Sequence, residues 1–177
     1  MPEKSTLTDI KTIRQRARAH IENGAVTESY KADRQKVIQL LNASLATEIV
    51  CVLRYKYHYF MASGIHASQV AAEFLEHAQQ EQAHADQLSE RIVQLGGKPN
   101  LSPEGLLSRS HAEYVEGEDL KGMIKEDLVA ERIAIESYTE VIRYIGDDDP
   151  TTCRMLREIL AMEEKHADDL ADFLKIM

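Results

Sequence analysis

Glycine and proline are spread so unevenly along this 177-residue chain that they partition it before any other feature is weighed. The four longest stretches containing neither residue are 25–63, 65–95, 123–145 and 151–177. Each is rich in Ala, Leu, Glu, Gln and Arg, which lose little side-chain freedom in a helix, so each predicts a long helix. The boundaries agree. Leu95-Gly96-Gly97-Lys98-Pro99 reads as a helix end, with glycine just past the last turn and proline beyond it. Gly146 closes the third stretch in the same way, and Asp149-Pro150 offers an N-cap followed by proline at the first helical position. Residues 97–118 contain Pro99, Pro103, Gly105 and Gly117, and predict a long connection with one short helix around Glu104 to Arg109. A connection of that length suits two helical hairpins joined by a crossover. Residues 6–22 predict a further short helix in which Leu7, Ile10, Ala17 and Ile21 share a face. The expected organisation is an N-terminal extension over 1–29 and one all-α four-helix bundle over 30–177.

Composition removes several classes of function. With 44% hydrophobic and 29% charged residues, the chain has the balance of a globular domain able to bury one core. Its longest uninterrupted apolar run, Ile49 to Leu53, is far short of the roughly 20 residues of a membrane span, so no membrane partner is expected. No apolar stretch follows Met1-Pro2-Glu3-Lys4, so no secretory signal is read. Two cysteines cannot build a disulfide scaffold, which makes a reducing cytoplasm the expected location. A net charge of −9 weighs against non-specific nucleic-acid binding by the surface as a whole.

Spacing within the helices exposes an anomaly. Steps of seven give Leu41, Glu48, Tyr55 in the first long stretch and Phe74, Glu81, Leu88, Leu95 in the second. The third gives Ile124, Glu131, Tyr138, Ile145, and the fourth gives Leu156, Glu163, Leu170. Residues seven apart share a helix face, so all four core-facing stripes carry a glutamate near their middle. Two of these glutamates open Glu-x-x-His motifs, Glu81 to His84 and Glu163 to His166, and residues three apart are neighbours on a helix. The order repeats: Glu48 stands 33 residues before Glu81, and Glu131 stands 32 before Glu163.

Four carboxylates buried together conflict with stability. An uncompensated buried ion costs several kcal/mol, against a total folding stability of about 5–15 kcal/mol. Two divalent cations would cancel the four negative charges, and two neutral imidazoles would complete the coordination. Oxygen and nitrogen donors without thiolate favour Fe or Mn over a closed structural zinc site, and six side chains shared by two metals leave positions open for O₂ or peroxide. The competing reading places the glutamates on solvated faces as partners of nearby side chains; it leaves the repeated histidines unexplained. A glutamate from each of two helices and a Glu-x-x-His from each of the other two is the ligand pattern of ferritin-like bundles.

Over residues 30–175 the chain resembles bacterioferritin, within the ferritin-like superfamily. Glu48, Glu81, His84, Glu131, Glu163 and His166 match that family's ferroxidase ligands, Tyr55 a tyrosine beside the di-iron centre, and Asp127 an acid supporting the ligands. The Leu95 to Asn100 turn is similar too. The resemblance implies two iron ions per subunit, with Mn or Zn as possible substitutes, and Glu81 and Glu163 as the bridging carboxylates. It implies Fe²⁺ oxidation by O₂ or H₂O₂, storage of ferric mineral in a hollow shell, and protection against oxidative damage.

Three departures shape the expectation. Gln82 stands where bacterioferritin carries its haem-binding methionine, so haem is not expected. The chain ends 11 residues after His166, without room for the short helix that lines the four-fold axis of 24-subunit shells. The N-terminal extension and the long crossover look like the twelve-subunit cages of the Dps group (DNA protection in starved cells). The expectation is a Dps-like dodecamer with a bacterioferritin-type centre. The basic side chains Lys11, Arg14, Arg16 and Arg18 then have two readings. They could contact DNA phosphates from many copies of a shell, or coat a helix whose apolar stripe packs on a neighbouring subunit; the stripe favours packing.

Other signals are weaker. His77, one turn before Glu81, could hold a third metal, but its acidic neighbours Glu73 and Glu76 favour a side chain facing water or the cavity. Tyr55 is assigned to the core with a modest redox or hydrogen-bonding role, and Tyr138 to the core alone. His20, His58, His66 and His111 fall outside the stripes and are assigned to the surface. In the family's connectivity Cys51 and Cys153 would differ by about 20 Å in height, too far for an intrachain bond. Two rivals remain: a di-iron or di-manganese peroxidase or catalase that stores nothing, and a DNA-binding shell whose metal is incidental.

Overall fold

The computed structural model describes residues 7–177. Residues 1–6, with Lys4 and the first position of the expected N-terminal helix, lie outside the described residues. Six helices follow in order: α1 Ile10–Arg16, α2 Arg34–Met61, α3 Ala67–Gln94, α4 Leu106–Arg109, α5 Leu120–Ile145 and α6 Pro150–Ile176. No strand occurs among the described residues. α2 packs on α3 and α5 on α6, as two hairpins; α2 meets α5 and α3 meets α6 across the bundle.

Local chemistry sets the ends. Asp33, Asp119 and Asp149 cap α2, α5 and α6, their carboxylates accepting from Lys36, Gly122 and Thr152 amides at 3.1, 2.7 and 2.9 Å. α3 stops where Gly96 takes φ +78° and the Gly97 amide turns back to the Ile92 carbonyl at 2.9 Å. A Cβ on Gly97 would lie 2.8 Å from the Ile38 side chain, so glycine is what lets this turn press against α2.

Two apolar clusters fill the bundle. One gathers Leu41, Leu45, Leu88, Ile92, Tyr138, Ile145, Leu156 and Ile159. The other gathers Tyr55, Val70, Phe74, Ala78, Ile124 and Leu170. In every long helix the stripe glutamate falls between the two clusters in sequence, so the bundle holds a polar layer between two apolar ones. Each buried Leu, Ile or Phe contributes about 1.5–3 kcal/mol, and their number offsets a layer that is costly by itself. α2 alone among the described helices is long and apolar enough to cross a membrane, yet it buries Glu48, Arg54 and His58 in the bundle, as a core helix does.

Buried ion pairs hold the structure elsewhere. Asp149, at the start of α6, accepts from Arg91 Nη2 of α3 at 2.8 and 3.0 Å and from the Tyr30 hydroxyl at 3.0 Å. Arg54 Nε donates to Asp127 Oδ1 at 2.8 Å, and His58 Nδ1 lies 2.7 Å from Asp127 Oδ2. His58 is therefore a core residue, not the surface residue expected; it lies three past Tyr55, on the same helix face. His20, His66 and His111 are exposed, as expected.

The N-terminal segment is less helical than its stripe suggests. α1 spans seven residues and is followed by a 3₁₀ turn, Ile21–Asn23, after His20 at φ +51°. No residue of α1 is buried, and Leu7, Ile10 and Ile21 are exposed. Both cysteines are buried and free.

Candidate metal centre

The four stripe glutamates are each 1% exposed, and His84 and His166 are buried beside them. The solvated-glutamate reading is excluded by that burial. α2 supplies Glu48, α3 Glu81 and His84, α5 Glu131, and α6 Glu163 and His166. Donor atoms of Glu48, Glu81, His84 and Glu163 all lie within 4.8 Å of one another, and so do those of Glu81, Glu131, Glu163 and His166. Glu81 and Glu163 belong to both groups, which supports the bridging role drawn from the resemblance.

Each imidazole presents the same edge. His84 Nδ1 lies 2.9 Å from Glu163 Oε1, 3.3 Å from Glu81 Oε2 and 3.5 Å from Glu48 Oε2. His166 Nδ1 lies 3.2 Å from Glu81 Oε1, 3.4 Å from Glu163 Oε2 and 3.8 Å from Glu131 Oε1. His166 Nε2 donates to Gln80 Oε1 at 2.5 Å, which leaves Nδ1 facing the glutamates. Sequence reasoning missed Gln80, although its place beside Glu81 put it within reach.

Two phenols support the carboxylates. Tyr55 donates its hydroxyl to Glu131 Oε1, as its position beside the ligands suggested. Tyr138, read from the sequence as core alone, donates to Glu48 Oε1. Seven residues beyond Glu131, Tyr138 lies on the same helix face in the adjoining apolar cluster, and its buried hydroxyl needs a partner. Asp127 touches none of the six residues in hydrogen-bonding distance; it serves Arg54 and His58. His77 is 1% exposed, not solvent-facing as expected. Its ring stacks on His166 at 4.0 Å, and its Nδ1 lies 3.2 Å from the Tyr55 hydroxyl. Glu73 and Glu76 misled: Glu73 shares the face of His77 and is itself only partly exposed.

The electrostatics describe a site short of positive charge. Burial and then Glu81 push Glu48 well above the usual carboxylate range. Burial and Glu48 push Glu163 up to about 7. Burial opposes charge on the histidines too, yet Glu163, Glu48 and Glu81 push His84 up to about 12, and Glu131, Glu163 and Glu81 do the same for His166. Glu131 is held below its ordinary value because the neighbouring His166 and the hydrogen bond from Tyr55 outweigh its burial. Burial and the neighbouring His166 push His77 down to about 3. Even so, Glu48 Oε2, Glu81 Oε1, both oxygens of Glu163 and His166 Nδ1 are buried without a hydrogen-bond partner. Orphaned donors of this kind, converging in two groups, fit a pair of divalent cations.

Paired helical hairpins around such an interior define the class of ferritin-like bundles. The chain belongs to the ferritin family: the family's ferritin-like domain matches residues 38–177. It is 30% identical over 167 residues to the DNA protection during starvation protein of Halobacterium salinarum, covering 90% of each chain. It is 33% identical over 144 residues to the bacterioferritin of Brucella melitensis, covering 80% of this chain and 84% of that one. Among solved structures it is similar to a dodecameric thioferritin, the bacterioferritin-related protein of Bacteroides fragilis. That match has a TM-score of 0.79 and 33% identity over 82% of this chain and 88% of the other. The chain is a Dps-like member of the ferritin-like superfamily.

Proposed function

We propose that this protein is a ferroxidase that takes two Fe²⁺ ions per chain into the centre of Glu48, Glu81, His84, Glu131, Glu163 and His166. The observation that carries this reading is the set of buried, unpartnered carboxylate oxygens facing two imidazole Nδ1 atoms. Each Fe²⁺ surrenders one electron; H₂O₂ accepts two electrons and two protons to give two waters, and O₂ is the alternative oxidant. The protein's own part is to neutralise incoming charge with carboxylates, to hold the imidazoles by bonds such as Gln80 to His166, and to keep the layer dry between two apolar clusters.

Twelve copies form a hollow shell that stores the ferric product and limits oxidative damage. The dodecameric thioferritin supports that assembly. The exposed apolar residues Leu7, Ile10 and Ile21 of the N-terminal segment support its packing on a neighbouring copy, with Lys11, Arg14, Arg16 and Arg18 on the outside. Direct DNA contact by those four is a second reading, motivated by their exposure. A gel shift at low salt without retardation removes it.

Aerobic Fe²⁺ oxidation, followed with the assembly's mass, tests the main reading. A shell that turns over iron and retains it supports it. A small assembly that consumes peroxide without retaining iron points instead to a di-metal peroxidase or catalase.

A further inference from the structure

Outside the centre lies a second group of metal-type donors. Glu73, His77 and Asp169 each offer an atom within 4.8 Å of the others. His77 is buried, whereas Glu73 and Asp169 are partly exposed, with side chains 26% and 33% accessible. The two carboxylates line a surface cleft of about 270 Å³ together with Asp172. His77 thus stands between water and the interior: its ring stacks on His166, and His77, Glu131 and His166 also offer donors within 4.8 Å of one another.

The hydrogen bonds fix which nitrogen of His77 is available. Tyr55 donates its single proton to Glu131. Its oxygen can therefore only accept from His77 Nδ1, 3.2 Å away, so that nitrogen carries the proton. Nε2 is left with a lone pair, buried without a hydrogen-bond partner, 3.2 Å from Glu73 Oε1. A lone pair and a carboxylate oxygen repel at that distance unless a positive centre sits between them. Asp169 meanwhile holds the Lys165 ammonium at 2.6 Å, so a cation already rests on one side of the cluster. Lys165 is exposed, and a metal entering the cluster can displace it into solvent.

From this geometry we infer that Glu73, His77 and Asp169 form a third divalent-cation site, separate from the central pair and open to solvent through the acidic cleft. One imidazole and two carboxylates leave positions for water, an exchangeable shell suited to Fe²⁺, Mn²⁺ or Zn²⁺. The location makes it a staging site, in which His77 separates arriving cations from the Glu131 and His166 side of the centre. This staging role rests on the function proposed above; the binding site does not.

Anomalous diffraction from crystals of the full chain soaked in Zn²⁺ tests it, with zinc stoichiometry in solution as the second measurement. The wild type is expected to show three zinc positions per chain, and the double variant E73A/D169A only the central two. Filling of the central pair in the same variant crystals shows that the fold survives. Wild-type zinc confined to the central pair overturns the inference, as does a third zinc that persists in the double variant. Zinc at the outer site with an empty central pair upholds the inference and sinks the ferroxidase reading instead.

Discussion

The bundle buries charge in two places, and they are built in opposite ways. Around Asp127, the carboxylate is answered from within the chain, by Arg54 on one oxygen and His58 on the other. In the centre, four glutamates face two histidines, and five of their polar atoms find no hydrogen-bond partner. The first arrangement is finished as soon as the chain folds. The second is left short of positive charge, although the same helices α2 and α5 contribute to both. A chain able to place Arg54 beside Asp127 could have placed a cation beside Glu48; leaving that position open fits the proposed metal-binding role.

The sharpest break in this contrast is Asp127→Ala. It strands the buried Arg54, so the metal-free protein should lose about 3–5 kcal/mol in denaturant unfolding. Glu163→Gln should instead leave the metal-free protein at least as stable as the wild type, since burial and the neighbouring Glu48 already disfavour its charge. Equal destabilisation by both changes would erase the distinction. Next in size, Glu81→Ala should slow aerobic Fe²⁺ oxidation by more than about 100-fold, beyond the 10–100-fold typical of losing an outer-shell partner. Stopped-flow absorbance of ferric product measures it, and a rate within tenfold of wild type would count against a bridging role.

Acidity should separate metal-free from metal-loaded protein. Glu163 moves from 4.5 to about 7 on folding, so the folded chain holds a proton that the unfolded chain has released. Its contribution to stability is full below about 4.5 and is lost as pH rises through 7. His84 and His166, raised from 6.5 to about 12, continue the same trend above 6.5. Metal must expel these protons, so Zn²⁺ affinity should rise over the interval in which the metal-free protein weakens. Calorimetry in buffers of different ionisation enthalpy reports the released protons; binding without release contradicts the assignment. The smallest effect expected is from Tyr138→Phe, which removes one bond to Glu48 and should lower Zn²⁺ affinity by about tenfold. Isothermal titration checks it.

The architecture was legible because Gly96, Gly97, Gly146 and Pro150 stand at real helix boundaries, and local backbone chemistry alone decides those. The six acidic and imidazole residues were legible because a carboxylate on an apolar stripe is conspicuous. What surrounds them was not. Steps of seven trace a single line down a helix, whereas the buried face is wider and includes residues three and four away; His58 and His77 lie on it and were assigned to water. Arg54 carries no sign of burial, because an arginine enters a core only when a partner far off in sequence receives it. Asp127 is that partner, which is why its expected support of the centre gave way to a different task. The Tyr138 bond to Glu48 likewise joins α5 to α2, a pairing that no single-helix pattern contains.

Asp149 also sets a depth gauge for the centre. By capping α6 while clamped to Arg91 and Tyr30, it fixes where that helix begins, both along its axis and in rotation. Glu163 lies 14 residues further on, about 21 Å at the helical rise of 1.5 Å per residue. A slip of one residue at the start would swing Glu163 and His166 by about 100°, away from Glu48 and Glu81. The alignment of the four glutamates and two histidines is thus calibrated at a remote anchor outside their layer.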